Sequence, residues 1–393
     1  MASLETTLMG IKFPNPFLLA AGPPSATGAM VVEAFKAGWG GVVLKTIALE
    51  PTKHPSPRVQ VIKTGRHKRG MIDIELFSEM TLDQWSEELD LIRDSYPRRP
   101  IIASITGGGH PEEWQKVVQQ LEKHGVNGYE MNVSCPNFSD GERGEKLGQD
   151  SKALKLAVSW VREATDLPVI VKLTPNADIA EQATTAAEAG ANGVTTINSL
   201  TGLAGINIDT LSPLPTVGGI GIFGGYGGPA LKPVALRCTA QAAQVAQDLP
   251  IQIFGCGGVE KWQDAVEYFA VGASVVEICT AVMWNGFQII DKLTSGLAEY
   301  LEGKGYDSPA EIKGKALPKI GSFPDINLSI QLLASINEDV CNGCGICVTA
   351  CDSGGFQAIR INENLAQIDL LRCDGCGLCV GVCPLDAIEL VPK

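Results

Sequence analysis

Eight cysteines lie between Cys341 and Cys383, and their spacing constrains this chain more than any other feature. They fall into two runs, Cys341, Cys344, Cys347, Cys351 and Cys373, Cys376, Cys379, Cys383, each spaced C-x2-C-x2-C-x3-C, with Pro384 after the last. Two such runs are the pattern of a paired [4Fe–4S] module, in which the fourth cysteine of each run ligates the other cluster. The expected ligand sets are therefore Cys341, Cys344, Cys347 and Cys383 for one cluster, and Cys373, Cys376, Cys379 and Cys351 for the other. Gly343, Gly345, Gly375 and Gly377 let the backbone wrap closely around the sulfurs. A zinc site would use cysteine pairs and leave the third thiol of each run idle. A disulfide scaffold would need an oxidising compartment. The two segments also form an internal repeat offset by 32 residues. Such a tail moves electrons without choosing a substrate.

The other four cysteines, Cys135, Cys238, Cys256 and Cys279, are scattered through a longer amino-terminal region. With 393 residues, 45% of them apolar, the chain has enough material for one large core and an appendage. Its formal charge of −13 would repel phosphate backbones, so nucleic acid is not expected as a partner. No apolar run reaches the roughly 18 residues of a membrane span. The stretch MASLETTLMGIKFPNPFLLAAG lacks a basic region before its apolar residues and is broken by prolines, so no signal peptide is expected. Together with thiolate-ligated clusters, that predicts a cytoplasmic protein.

Short apolar runs alternate with amphipathic stretches across the first 315 residues. Strands are expected at 17–22, 41–46, 101–105, 128–134, 168–174, 193–198, 251–258 and 274–281, with helices at 111–124, 151–165, 177–190, 229–247 and 261–270. Eight strands separated by helical segments predict an α/β fold, a (β/α)8 TIM barrel, rather than a doubly wound sheet. The expected division is a barrel over 1–315, a linker over 316–335, and an α+β ferredoxin-like domain over 336–393. Barrel chemistry gathers at the carboxyl ends of the strands. There stand Gly22, Lys45, Asn132 with Cys135, Lys172, Asn198 with Ser199, Gly257 with Gly258, and Thr280. Two lysines at strand ends would be costly unless they faced an anion or an electron-rich ring.

Two further patterns attract attention. The basic tract RHKRG at 66–70 reads as a solvated face, or as an attractor of acidic substrate or partner. Gly219, Gly221 and Gly224 spell the dinucleotide fingerprint, but Pro213 and Pro215 precede it and more glycine follows, so it is discounted.

The motifs NPFLLAAGPP, GGVVLKT, YEMNVSCPN, GERGEKLGQD, VIVKLTPN, TTINS, GGYGGPALKPVALR, FGCGGV and GASVVEICTA resemble the dihydroorotate dehydrogenase superfamily of FMN barrels. With the two-cluster tail, the chain is similar to the flavin-barrel-plus-ferredoxin part of the dihydropyrimidine dehydrogenases, the bacterial PreA-type subunits. The resemblance covers nearly the whole sequence. It implies FMN contacts at Ala21, Gly22, Lys45, Thr46, Asn132, Lys172 and Asn198, with the phosphate on backbone N–H groups around Gly227, Gly228, Gly257, Gly258, Cys279 and Thr280. It implies substrate contacts at Asn132, Asn198, Ser199 and Asn137, and Cys135 as catalytic acid on a loop over the flavin. An ordinary thiol, with a pKa of about 8.5, is protonated at neutral pH and can serve as that acid. The loop GERGEKLG at 141–148 is expected to close over the site and exclude water.

The expected reaction is reduction of the C5=C6 bond of uracil or thymine to the dihydropyrimidine. A homologue of the FAD- and NAD(P)H-binding PreT-type subunit would feed electrons through the clusters to FMN. Oligomers, homomeric or mixed, are expected. Three departures bear on the substrate. Asp73 stands where the pyrimidine enzymes have asparagine, and an ionised carboxylate accepts a substrate N–H but cannot donate to a carbonyl. SCPN replaces SCPH, and the tract Arg66–Arg69 has no counterpart in the pattern. Another cyclic amide or a dihydroorotate-like acid is the alternative substrate. A pure electron carrier with the barrel as scaffold is the reading from a different class.

Overall fold

The structure is a computed structural model that describes residues 2–135 and 144–393. The chain divides into two compact units, Met1–Lys319 and Ile320–Lys393.

In the first unit eight parallel strands close into a barrel: β1 (Phe17–Leu19), β2 (Gly41–Val43), β3 (Ile101–Ile105), β4 (Gly128–Asn132), β5 (Val169–Leu173), β6 (Gly193–Thr196), β7 (Gln252–Cys256) and β8 (Val275–Ile278). Each expected strand is present, and β5 pairs with β6 just as β8 pairs with β1, so no edge is left open. Among the described residues a long helix follows each strand in turn: α1 (Gly28–Ala37), α2 (Leu82–Ser95), α3 (Pro111–Glu122), α4 (Ser151–Ala164), α5 (Ile179–Glu188), α6 (Lys232–Val245), α7 (Trp262–Ala270) and α8 (Ile289–Lys304). Their apolar stripes meet the outer faces of the strands, burying Trp39, Trp85, Trp114, Tyr129 and Tyr268 completely. A smaller cluster, including Phe13, Leu18, Val43, Ile102, Ile170 and Phe254, fills the barrel floor under the amino-terminal hairpin Thr6–Leu8/Ile11–Phe13. That hairpin plugs the end away from the chemistry.

Two insertions make the other end. The segment after β2 carries an antiparallel hairpin, Val59–Thr64 and His67–Asp73, and the segment after β6 carries Leu200–Gly202 and Gly224–Gly227. These four strands join in one antiparallel sheet, with Gly225 opposite Asp73 and Tyr226 opposite Ile72. Glycine is required in this roof: a Cβ on Gly70 would stand 2.5 Å from the Tyr226 ring, and one on Gly224 2.7 Å from both Ile72 and Ile74. The basic tract forms the tip of the first hairpin, where residues 66–69 are exposed and Lys68 Nζ sits 5.1 Å over the Trp284 ring. Gly219 and Gly221 lie in loop, and Gly224 opens an antiparallel strand rather than a helix.

The second unit has internal two-fold likeness, with helices Ile346–Ser353 and Leu378–Val382, and strand pairs Leu332–Ile336/Ile388–Pro392 and Ile359–Asn362/Leu365–Ile368. Residues 332–335 are thereby paired into this unit.

Candidate active site

The carboxyl rim of the barrel and the roof enclose a cavity of about 1110 Å³ counted to its open mouth. Its walls include Ala21, Gly22, Lys45, Thr46, Asp73, Asn132, Cys135, Lys172, Asn198, Ser199, Gly227, Gly228, Gly257, Gly258, Cys279 and Thr280. Every candidate rim residue read from the sequence thus borders one space, except Asn137, which lies outside the described residues. So does the first part of the loop at 141–148; its described end enters the short helix Glu145–Gln149, where Glu145 accepts from Thr174 Oγ1 at 2.8 Å.

Strand ends deliver a continuous polar chain. Ser104 of β3 and Thr46 are 3.0 Å apart through their hydroxyls, and Asn132 donates from Nδ2 to Thr46 Oγ1 at 2.9 Å. Asn198 in turn donates to Asn132 Oδ1 at 3.1 Å and to Ser134 Oγ at 2.9 Å, while Ser199 N–H donates to Asn198 Oδ1 at 2.8 Å. Both amide groups are thereby fixed in orientation, which pre-organises them for a planar ring. Cys135 follows β4 by three residues and is only 7% exposed.

Glycine shapes the far end. Gly228, Gly257 and Gly258 have φ of 107°, 127° and 74°, a region that side chains other than glycine's rarely adopt. A Cβ on Gly258 would stand 2.9 Å from Lys232 N and 3.0 Å from Gly228 O, and one on Gly22 2.6 Å from Cys279 Sγ. Bare backbone at these corners, next to the start of α6, is the surface a phosphate requires.

Both rim lysines are buried against carboxylates that the sequence reading missed. Lys45 Nζ lies 3.5 Å from Glu75 Oε2, and Glu75 Oε1 is 3.0 Å from His54 Nδ1. Lys172 Nζ lies 2.8 Å from Glu277 Oε2 and 3.3 Å from Glu130 Oε1. Burial works against the Lys172 ammonium, but the carboxyl groups of Glu130 and Glu277 outweigh it and hold its pKa well above the usual lysine value. Burial, then the charge of Glu277, pushes the Glu130 carboxyl up to about 8. Burial likewise pushes the Cys256 and Cys279 thiols up to about 12, so both are neutral packing groups beside the ring site. Asp73 is raised from its ordinary value mainly by burial. The signal for Glu130 and Glu277 was present in the sequence: each is an acid flanked by apolar residues inside a strand, YEM and VVEIC.

In the second unit one hollow is lined by Cys351, Cys373, Cys376 and Cys379, and another by Cys341, Cys344, Cys347 and Cys383. These are the two crossed sets expected from the spacing. Among the described residues no trio of His, Cys, Asp or Glu converges tightly enough for a single metal ion. The thiols ring a hollow, which fits a cubane. Gly343 and Gly375, at φ 69° and 68°, pass so close to backbone that a Cβ would meet Asn364 O at 2.2 Å or Leu332 O at 2.1 Å. Backbone N–H groups of Ala358 and Ala387 donate to Cys351 Sγ and Cys383 Sγ, each at 3.3 Å.

The dihydroorotate dehydrogenase family model matches residues 3–301, and a 4Fe–4S dicluster domain model matches residues 334–390. The chain belongs to the dihydroorotate dehydrogenase family. It is 34% identical over 362 residues to the NAD-dependent dihydropyrimidine dehydrogenase subunit PreA of Escherichia coli K12, covering 92% of this chain and 88% of that one. It is 31% identical to the chloroplastic NADP(+) dihydropyrimidine dehydrogenase of Arabidopsis thaliana, over 82% of this chain and 79% of the relative. To the catalytic subunit of dihydroorotate dehydrogenase B (NAD(+)) of Pyrococcus furiosus it is 38% identical, over 80% of this chain and 99% of the relative. Membership in this family makes the chain an oxidoreductase acting on CH–CH bonds, with FMN and two [4Fe–4S] clusters as cofactors. The cavity, its buried lysines and its bare glycine corners fit the flavin, and the two hollows fit the clusters. No described helix is long and apolar enough to cross a membrane.

Proposed function

We propose that this chain is the catalytic subunit of a dihydropyrimidine dehydrogenase, reducing the C5=C6 bond of uracil or thymine with Cys135 as general acid. The charge balance of the cavity carries the choice of substrate. Among its described lining residues Lys45 and Lys172 are each engaged by a buried carboxylate, while Asp73, Glu75, Glu260 and Glu277 contribute negative charge. Such a wall favours a neutral cyclic amide and disfavours a ring bearing its own carboxylate. The basic tract at 66–69, which would favour an acid, lies at the exposed roof tip and does not line the cavity.

Bound FMN in its reduced form supplies a hydride from N5. The remaining work belongs to this chain. Cys135 holds the proton for the neighbouring carbon, and its burial keeps that proton from exchanging freely with water. Asn198 spends both Nδ2 hydrogens on Asn132 and Ser134, so it acts as a fixed brace. Asn132 gives one Nδ2 hydrogen to Thr46 and keeps the other, among the described residues, for a ring carbonyl. Asp73 accepts a ring N–H. Asn137 and Ser199 complete the substrate set. Ala21, Gly22, Lys45, Thr46 and Lys172 hold the flavin, with its phosphate on the backbone around Gly227, Gly228, Gly257, Gly258, Cys279 and Thr280.

Electrons reach the clusters from a separate FAD- and NAD(P)H-binding subunit, a PreT-like partner. The similarity to a relative described as a subunit of an NAD-dependent enzyme supports this. An anaerobic assay of the holoprotein with a reduced low-potential donor, offering uracil, thymine and orotate separately, tests the reading. Uracil and thymine are expected to oxidise the donor and orotate is not. Turnover of orotate matching or exceeding that of uracil would overturn it in favour of a dihydroorotate-like substrate.

A further inference from the structure

Beneath the cavity the barrel interior holds a buried charge cluster, of which only Lys172 and Glu277 have so far been given a role. Glu130 of β4, Lys172 of β5, Thr195 of β6 and Glu277 of β8 all point inward and meet. Thr195 Oγ1 lies 2.8 Å from Glu130 Oε2 and 3.1 Å from Glu277 Oε1. A hydroxyl carries one hydrogen. With two carboxylate oxygens in bonding range, one hydrogen bond runs from Thr195 to a carboxylate and the other from a protonated carboxyl to Thr195. Charge counting agrees, since two carboxylates against one ammonium would strand a negative charge away from water. Lys172 stands nearer Glu277, at 2.8 Å against 3.3 Å, so the proton resides on Glu130.

We propose that Glu130 and Glu277 share one proton and, acting through Lys172, set the charge facing the flavin, which makes them positioning residues that tune the flavin's reduction potential. Lys172 and Glu277 also line the cavity, so this charge faces the cofactor directly. The surrounding groups are Cys256 and Cys279, both neutral thiols, with Lys45, Asp73 and Glu75 beyond them. Burial and the charge of Glu277 push the Glu130 carboxyl up to about 8. Below that pH the cluster is neutral and tolerates the negative charge that reduction brings to the ring. Above it the cluster is anionic and resists that charge. By linkage, reduction tightens the pair's hold on its proton, which it takes from water. The pair passes no proton to the ring, and the electrons are those of the normal reaction. The inference needs FMN in the barrel and is independent of which ring is reduced.

The test is a spectroelectrochemical titration of FMN in the holoprotein from about pH 6 to about pH 10, for wild type, Glu130→Gln, Glu277→Gln and the double variant. In wild type the potential is expected to fall more steeply above pH 8, by up to about 30 mV per pH unit beyond its slope below, because one proton per two electrons is tenfold per unit. Either single variant leaves Lys172 with at most one ionised acid and removes the steepening. The double variant leaves a bare ammonium and binds reduced over oxidised FMN at least tenfold better, a rise of about 30 mV. Steepening that survives in Glu130→Gln, or a double variant with an unshifted potential, would overturn the proposal. A second measurement covers variants that fail to take up flavin. The wild-type apoprotein should show a protonated-carboxyl band in the infrared that bleaches above pH 8 and is missing in Glu130→Gln; its absence from wild type at neutral pH would also overturn the proposal.

Discussion

Replacing Gly258 with alanine separates the flavin site from the rest of the molecule. Gly258 has φ of 74°, where a Cβ costs about 1–2 kcal/mol by itself. In the native geometry that Cβ also stands 2.9 Å from Lys232 N and 3.0 Å from Gly228 O, both backbone atoms that cannot rotate away. The two glycine corners must therefore part by a few tenths of an ångström, which withdraws the N–H groups assigned to the phosphate. An apoprotein can relax the corner; binding must restore it at that same cost of about 1–2 kcal/mol, equal to roughly 5- to 30-fold weaker FMN binding. Gly305→Ala is the control, because its φ of 73° is the same but nothing lies within 4 Å of the new Cβ. It should lower stability by about 1–2 kcal/mol and leave flavin affinity unchanged. The assay is fluorescence titration of apoprotein with FMN, together with iron content, which should match wild type in both variants. Gly258→Ala protein that binds FMN within twofold of wild type would refute the assignment of this corner to the phosphate.

Three other outcomes follow from the same geometry. Cys135→Ala should retain flavin while kcat falls by about 10²–10⁴, read by steady-state kinetics. Lys172→Met should destabilise the barrel by about 3–5 kcal/mol in denaturant melts, because it leaves Glu130 and Glu277 buried without their cation. Glu130 has its folded pKa raised from 4.5 to about 8, so the folded state binds more protons than the unfolded one between those values. Stability should therefore fall as pH rises through that window and level off above it, and in Glu130→Gln this part of the decline should vanish.

The barrel could be read from the sequence because its strands are runs of β-branched and apolar residues buried on both faces, as parallel strands between helices must be. The two groups of thiols that line the hollows could be read because thiol spacing largely dictates which sulfurs come together. The roof could not. GGYG at 224–227 has no strand propensity and pairs because Asp73, Ile72 and Met71 arrive on one side from another insertion and Leu200–Gly202 on the other. Helix α2 had usable signals in its capping box, Thr81 with Gln84, and in the apolar stripe of Trp85, Leu89 and Ile92. Rim lysines were visible as anomalies, but their partners Glu75, Glu130 and Glu277 come from other strands and loops, so pairing them needed the closed barrel. Asp73 was singled out through the resemblance, as an acid where the pyrimidine enzymes have asparagine, and the roof explains its place: it ends the inner hairpin strand directly over the rim.

That roof also governs how this scaffold can diversify. Its four strands come from two insertions separated by well over a hundred residues, yet they exchange hydrogen bonds as one fabric, Val59–Thr64 to His67–Asp73 to Gly224–Gly227 to Leu200–Gly202. Grafting a foreign segment at either position alone would strand amide and carbonyl groups on the other. New ring selectivity is thus reached by transplanting both segments together, with the eight-stranded cylinder beneath left as a neutral chassis.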